Sequence, residues 1–102
     1  MFTVKETRTF SKWIDNLKDK VAQLRIDVRI KRLEAGNPGD VKLLSGGIYE
    51  MRIDYARGYR IYYIIRNREI IILLAGGDKT SQNKDIKTAQ RLAREYREID
   101  ND

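Results

Sequence analysis

The chain has 102 residues, enough for one domain around a single hydrophobic core, and its mix of 41% hydrophobic and 35% charged residues is that of a soluble globular protein. It contains no cysteine and no histidine, which excludes disulfide frameworks, thiolate sites and imidazole ligands; any metal would have to be held by carboxylates alone. The net charge of +6 favours an acidic partner, either nucleic acid or an acidic protein.

No apolar run approaches the roughly 18 residues of a membrane span, and the N-terminus lacks a signal-peptide hydrophobic stretch. The expectation is therefore a cytoplasmic protein with no membrane partner, folded as one domain over residues 1–102.

Phe2 and Val4 alternate with polar residues and predict a short first strand. Phe10, Trp13 and Leu17 then sit at i, i+3 and i+7, the buried stripe of a helix, with Thr7 or Thr9 as its N-cap. Residues 21–35 alternate in part like a strand, but Val21, Ala22, Leu33 and Ala35 continue helically among good helix formers, so a second helix is predicted. Gly36-Asn-Pro-Gly39 ends it. A connection near Asp19 and Lys20 makes the two an antiparallel hairpin.

Three strands follow, at about 48–55, 59–66 and 69–75, turned by Ala56-Arg57-Gly58 and by Asn67-Arg68. The run Ile70-Ile-Ile-Leu-Leu74 is apolar on both faces and reads as a covered strand. A last helix is predicted after Lys79, capped by Thr80 or Ser81 and buried along Ile86, Ala89, Leu92, Ala93 and Tyr96. The terminal Glu98-Ile-Asp-Asn-Asp102 reads as a frayed acidic end.

The chemistry concentrates in the hairpin. With Arg57 at the turn centre, Ile53 faces Ile61, Met51 faces Tyr63 and Tyr49 faces Ile65 on the core side. On the opposite side Arg52 faces Tyr62, Asp54 faces Arg60 and Glu50 faces Ile64. That surface reads either as solvated, with an Asp54–Arg60 ion pair, or as a phosphate-binding face. Arginine is used at every basic position from 52 to 68, which suits bidentate contact with phosphate. Gly76-Gly-Asp-Lys79 is not a Walker loop, because Asp78 precedes the lysine; its glycines read as a turn from strand to helix. A helix N-terminus carrying Lys79 and Gln82 beside a basic sheet is still suited to an anion.

Three segments in order, Val41-Lys-Leu-Leu-Ser-Gly-Gly-Ile-Tyr-Glu-Met-Arg-Ile53, Gly58-Tyr-Arg-Ile-Tyr-Tyr63 and Leu73-Leu-Ala-Gly-Gly-Asp-Lys-Thr-Ser-Gln-Asn-Lys-Asp-Ile86, carry a resemblance. The chain resembles the RelE/ParE superfamily of toxin–antitoxin toxins, and within it the phage-derived addiction module killer protein branch, related to HigB. The resemblance implies an α+β fold: an N-terminal strand and helical hairpin packed on a four-stranded, mostly antiparallel sheet, with a C-terminal helix. It implies a toxin that cleaves messenger RNA on the ribosome, needs no cofactor, and is neutralised by a cognate helix-turn-helix antitoxin, meeting DNA only through that antitoxin.

In RelE the arginine after Gly-Tyr stabilises phosphate, and it matches Arg60. A second basic residue matches Arg52, and a first is replaced by Glu50. The tyrosine near the start of RelE's last helix falls at about Ile86, and HigB's catalytic histidines have no counterpart, which leaves room for a ParE-like gyrase inhibitor. A non-catalytic nucleic-acid-binding module is the third reading. The expected catalytic set is Glu50, Arg52, Arg60 and Lys79, with no metal ligands; Lys42, Arg57, Tyr62 and Gln82 are the expected RNA-binding residues. Glu50 reads equally as general base or as the salt-bridge partner that holds an arginine.

Overall fold

The computed structural model describes the backbone of residues 1–100 and the side chains of residues 1–97, so the acidic end expected at 98–102 lies outside the described side chains. The first two helices begin where a side chain can take up a free backbone N–H. Thr7 caps α1 (Arg8–Asp15): its hydroxyl accepts from Phe10 N at 3.0 Å and donates to Leu74 O at 2.7 Å. Asp19 caps α2 (Lys20–Glu34) by accepting from Ala22 N at 3.1 Å. The helical hairpin is as expected, except that α1 stops at Asp15 and Leu17 lies in the connection. Gln23 holds that connection by donating to Ile14 O and Leu17 O.

Among the described residues the sheet has five strands, not four: β1 (Thr3–Glu6), β2 (Val41–Leu43), β3 (Tyr49–Ile53), β4 (Tyr59–Arg66) and β5 (Ile70–Gly77), in the order β1-β5-β4-β3-β2. β1 runs parallel to β5 and every other pairing is antiparallel. The unexpected strand is β2. Three residues are too few to show an alternation, and its backbone is ordered by pairing with β3.

Both faces of the sheet are covered. Phe10, Ala22, Ile26 and Leu33 of α1 and α2 pack on Met51, Ile61, Tyr63, Ile71 and Leu73. On the other face α3 (Gln82–Asp100) lays Ala89, Leu92 and Ala93 over Ile48, Tyr62, Ile64, Ile72 and Leu74. The face expected to meet solvent is therefore half core, because Tyr62 and Ile64 share it with Arg52 and Arg60 and draw α3 onto their end.

The hairpin register also differs. Arg52 pairs with Arg60, Glu50 with Tyr62, Met51 with Ile61 and Tyr49 with Tyr63, a slip of two residues from the expected pairing. Its turn is centred on Ala56, where Ala56 and Gly58 take left-handed φ of 51° and 71°. Such a slip keeps every side chain on its expected face and changes only its partner. Asp54 falls in the turn, and the Asp54–Arg60 pair does not form.

Gly76 and Gly77 do not turn the chain; both lie in β5 with ordinary φ. They are needed for close approach. A methyl group at Gly76 would enter the Trp13 ring, and one at Gly77 would overlap the Asp85 carboxylate. The last helical segment is capped by neither Thr80 nor Ser81 but by Asp78, which accepts from Thr80 N at 2.9 Å and opens a single 3-10 turn, Lys79–Ser81, before α3.

Candidate functional site

Arg52 and Arg60 lie directly opposite one another on β3 and β4, a like-charge juxtaposition that ordinarily destabilises a sheet. What makes it tolerable is Glu50, whose side chain is only 1% exposed. Its Oε1 accepts from Arg60 Nη1 at 3.2 Å and from Arg52 Nε at 3.4 Å. Its Oε2 accepts from Gln82 Nε2 at 2.9 Å and from the Tyr62 hydroxyl at 3.1 Å. Four donors from three elements thus converge on one carboxylate.

Burial alone would raise the Glu50 pKa. The hydrogen bonds from Gln82 and Tyr62, the charge of Arg60 and the hydrogen bond from Arg52 outweigh burial and hold it below the ordinary value. The Tyr62 phenol is pushed above its ordinary range by burial and by the Glu50 charge, so it remains a donor.

Beside this cluster opens a cleft of ≈ 220 Å³, lined by Arg52, Arg60 and Lys79 together with Asp40, Asp54 and Gly58. Gly58 leaves room for the Lys79 stem, whose Cε would lie 3.0 Å from any Cβ placed there. Beside Lys79, Asp78 places its Oδ2 3.9 Å from Arg57 Nη1. Its pKa is lowered, chiefly by the hydrogen bond from the Thr80 hydroxyl.

The structure therefore brings together Glu50, Arg52, Arg60, Tyr62, Lys79 and Gln82 from the expected set, with exposed Arg57 alongside. Lys42 stands apart on the edge strand β2, opposite Glu50 in register but outside the cleft lining. Tyr62 and Glu50 are not surface groups. Tyr62 is fully buried, which corrects its expected contact with RNA: it supports the site through its hydroxyl.

Asp40 and Asp54 are cleft residues that sequence reasoning did not single out as site residues. Asp40 arrives by the pairing of β2 with β3, where its carbonyl accepts from Arg52 N at 2.9 Å. No local pattern announces that contact. Asp54, which alternation sets opposite Arg60, lies beyond the end of β3 and lines the cleft instead.

Comparison with known proteins agrees with this frame. Residues 12–97 match the family model of the phage derived protein Gp49-like family (DUF891). An uncharacterized protein of Haemophilus influenzae is 50% identical over 92 residues, 90% of this chain and 93% of that protein. Among solved structures, a mutant of the E. coli toxin RelE in the free state superposes with a TM-score of 0.60 at 16% identity, covering 84% of this chain and 95% of that one. A chain of the intact E. coli RelBE toxin–antitoxin complex gives 0.59 at 17%, covering 76% and 96%. A conserved hypothetical protein of Helicobacter pylori gives 0.51 at 21%, covering 78% and 97%. The order of elements, the two-sided sheet and the family match converge: the chain belongs to the Gp49-like family of phage-derived proteins and carries the RelE fold.

Proposed function

We propose that this chain is the toxin of a type II toxin–antitoxin module and acts as a metal-independent endoribonuclease on messenger RNA held by the ribosome. One observation carries the reading: two guanidinium groups, set opposite each other against their own repulsion, are oriented by a single buried carboxylate at the mouth of a cleft that Lys79 completes. A fold gains nothing in stability from facing two arginines, whereas a pentacoordinate phosphate gains a preorganised cationic cradle.

In such a reaction the substrate's own 2′-hydroxyl attacks the adjacent phosphorus and the 5′-oxygen leaves. Arg52, Arg60 and Lys79 stabilise the charge on the phosphoryl oxygens, a term for which losing one good donor typically costs about 10²–10³ in rate. Glu50 is a positioning residue. Its oxygens are taken up by four donors and its lowered pKa makes it a poor proton acceptor, so of its two expected roles the salt-bridge partner is favoured. The carboxylates with access to the cleft are Asp40 and Asp54. Gln82 orients Glu50, while Arg57 and Lys42 extend the basic surface along which RNA would lie.

The partners of this reading are the ribosome, its messenger RNA, and a cognate helix-turn-helix antitoxin that in turn meets DNA. Likeness to the toxin chain of the RelBE complex supports the antitoxin. The deciding experiment is induction in a bacterial host followed by mapping of messenger RNA ends with and without translation. New ends confined to translated transcripts are expected. Intact transcripts together with accumulating cleaved DNA–gyrase complexes would replace this reading by a gyrase inhibitor of the ParE type.

A further inference from the structure

α2 is apolar on two opposite faces, and only one of them is used. Ala22, Ile26 and Leu33 are buried against the sheet. On the outer face Val21, Leu24 and Val28 are 48%, 65% and 47% exposed, at i, i+3 and i+7. Exposed aliphatic residues scattered singly are ordinary, but three in register along one helix form a continuous stripe. Among the described residues the other large exposed hydrophobics, Met1, Leu43 and Ile65, do not align in this way.

The stripe has charged rims. At the helical angle of about 100° per residue, exposed Lys20 and Lys31 flank it on one side and Arg25 and Arg32 on the other. Asp27 and Glu34 are acids beside the lysine rim, so the excess of positive charge lies on the arginine rim. The guanidinium of Arg25 is set 4.6 Å over the Tyr55 ring, which orders that rim.

We propose that the outer face of α2 docks an amphipathic helix of a partner protein, one that carries apolar residues at i, i+3 and i+7 and acidic residues along the flank that meets Arg25 and Arg32. A second copy of this chain would bring two basic rims together. A lipid surface would gain little from a single line of three aliphatic side chains without an aromatic anchor. An acidic flank complements the arginine rim, and the stripe, about 10 Å long at 1.5 Å per residue, suits a partner helix of two to three turns. α2 and α3 pack on opposite faces of the sheet, and the arginine rim of α2 adjoins the edge of the cleft: Arg25, Val28 and Arg32 line a pocket with Ile53 and Asp54, which also line the cleft. The inference rests on the toxin–antitoxin reading only in the choice of partner for its test.

The test uses the full chain and the product of the small reading frame beside its gene, measured by titration calorimetry. A Leu24→Gln, Val28→Thr double variant and a Lys31→Glu, Arg32→Glu double variant should each bind at least roughly tenfold more weakly. Both should keep the wild-type circular dichroism spectrum and the wild-type growth arrest in the partner's absence. Undiminished binding by both variants would overturn the docking surface and leave the toxin reading standing. No complex with the wild type would overturn the antitoxin reading, and this occupant with it. Two further outcomes would replace the occupant: a concentration-dependent dimer abolished by Leu24→Gln, Val28→Thr, or binding to vesicles of equal phosphatidylcholine and phosphatidylglycerol abolished by the same change.

Discussion

At the scale of single residues, the site is organised by one carboxylate, and its two arginines are not equivalent. The Arg60 side chain is 13% exposed and that of Arg52 is 39% exposed, although both contact Glu50 Oε1. Arg60→Ala is therefore not the neutral surface change that alternation suggests. It leaves the buried Glu50 under-compensated and should cost on the order of 1–3 kcal/mol of stability as well as activity. Arg52→Ala should lose about 10²–10³ in cleavage rate with a smaller change in melting temperature. Arg60→Lys should keep the fold and recover little activity, since lysine lacks the planar fork. Parallel melting and messenger RNA cleavage assays separate these cases, and full toxicity in a folded Arg52→Ala protein would remove that residue from the catalytic set.

Glu50 also makes a pH prediction. A carboxylate whose folded pKa is depressed contributes stability that is present above its unfolded value and lost as pH falls through its folded value. The wild type should accordingly lose stability below the ordinary glutamate value of 4.5, and Asp78, also lowered, adds to that loss. Asp85 acts in the opposite sense, because burial raises its pKa and ionising it costs stability as pH rises. The Glu50 share is isolated by comparing wild type with Glu50→Gln in urea titrations across this range. The difference between them should shrink toward low pH, and a constant difference would contradict the assignment. As a positioning residue, Glu50 should also leave the shape of the pH–rate profile unchanged when converted to Gln. Loss of a rising limb would make it the base.

At the scale of elements, β5 is shaped by what presses on it. Gly76 receives the Trp13 ring from α1 on one side, and Gly77 receives Ser81 and Asp85 on the other. Gly76→Ala should destabilise by about 1–3 kcal/mol through overpacking, read as a lowered urea midpoint with an unchanged slope. Gly77→Ala should act more on the site, because displacing Asp85 disturbs the first turn of α3, from which Gln82 reaches Glu50. The β3–β4 hairpin shows how much a turn decides. Moving its centre from Arg57 to Ala56 replaces an Asp54–Arg60 pair by an Arg52–Arg60 pair, and so converts a neutralised surface into one that needs Glu50 beneath it.

For the whole molecule, charge and burial act at different ranges. The net charge of +6 should draw an acidic or mixed-charge antitoxin at a distance, while apolar contacts hold it once docked. The association rate should then fall as salt rises past about 0.1 M, where screening acts within roughly 10 Å, with dissociation changing less. Stopped-flow mixing with the protein encoded next door measures both, and an on-rate indifferent to salt would mean that the basic surfaces play no part in docking. Among the described residues no helix is long and apolar enough to cross a membrane.

The sequence by itself determined what is local. The Phe10–Trp13 stripe, the Ala89–Leu92–Ala93 stripe, a cap at Thr7 or Thr9, of which the structure uses Thr7, the turn at Asn67-Arg68, and the strands around them follow from side-chain periodicity and hydrogen bonds a few residues long. The arginines and Lys79 were legible as a group because residue type and three spaced segments carry that information. Tertiary structure alone decided who touches whom. Two hairpin registers that differ by two residues have the same alternation, so the sequence pattern could not choose between them. β2 was hidden because three residues show no period. The role of Glu50 depends on Gln82, 32 positions away, and on α3 closing one end of a face that alternation had turned to water. Burial on that face is what converts a surface carboxylate into the hub of the site, and burial is set by packing between distant segments, which no local pattern encodes.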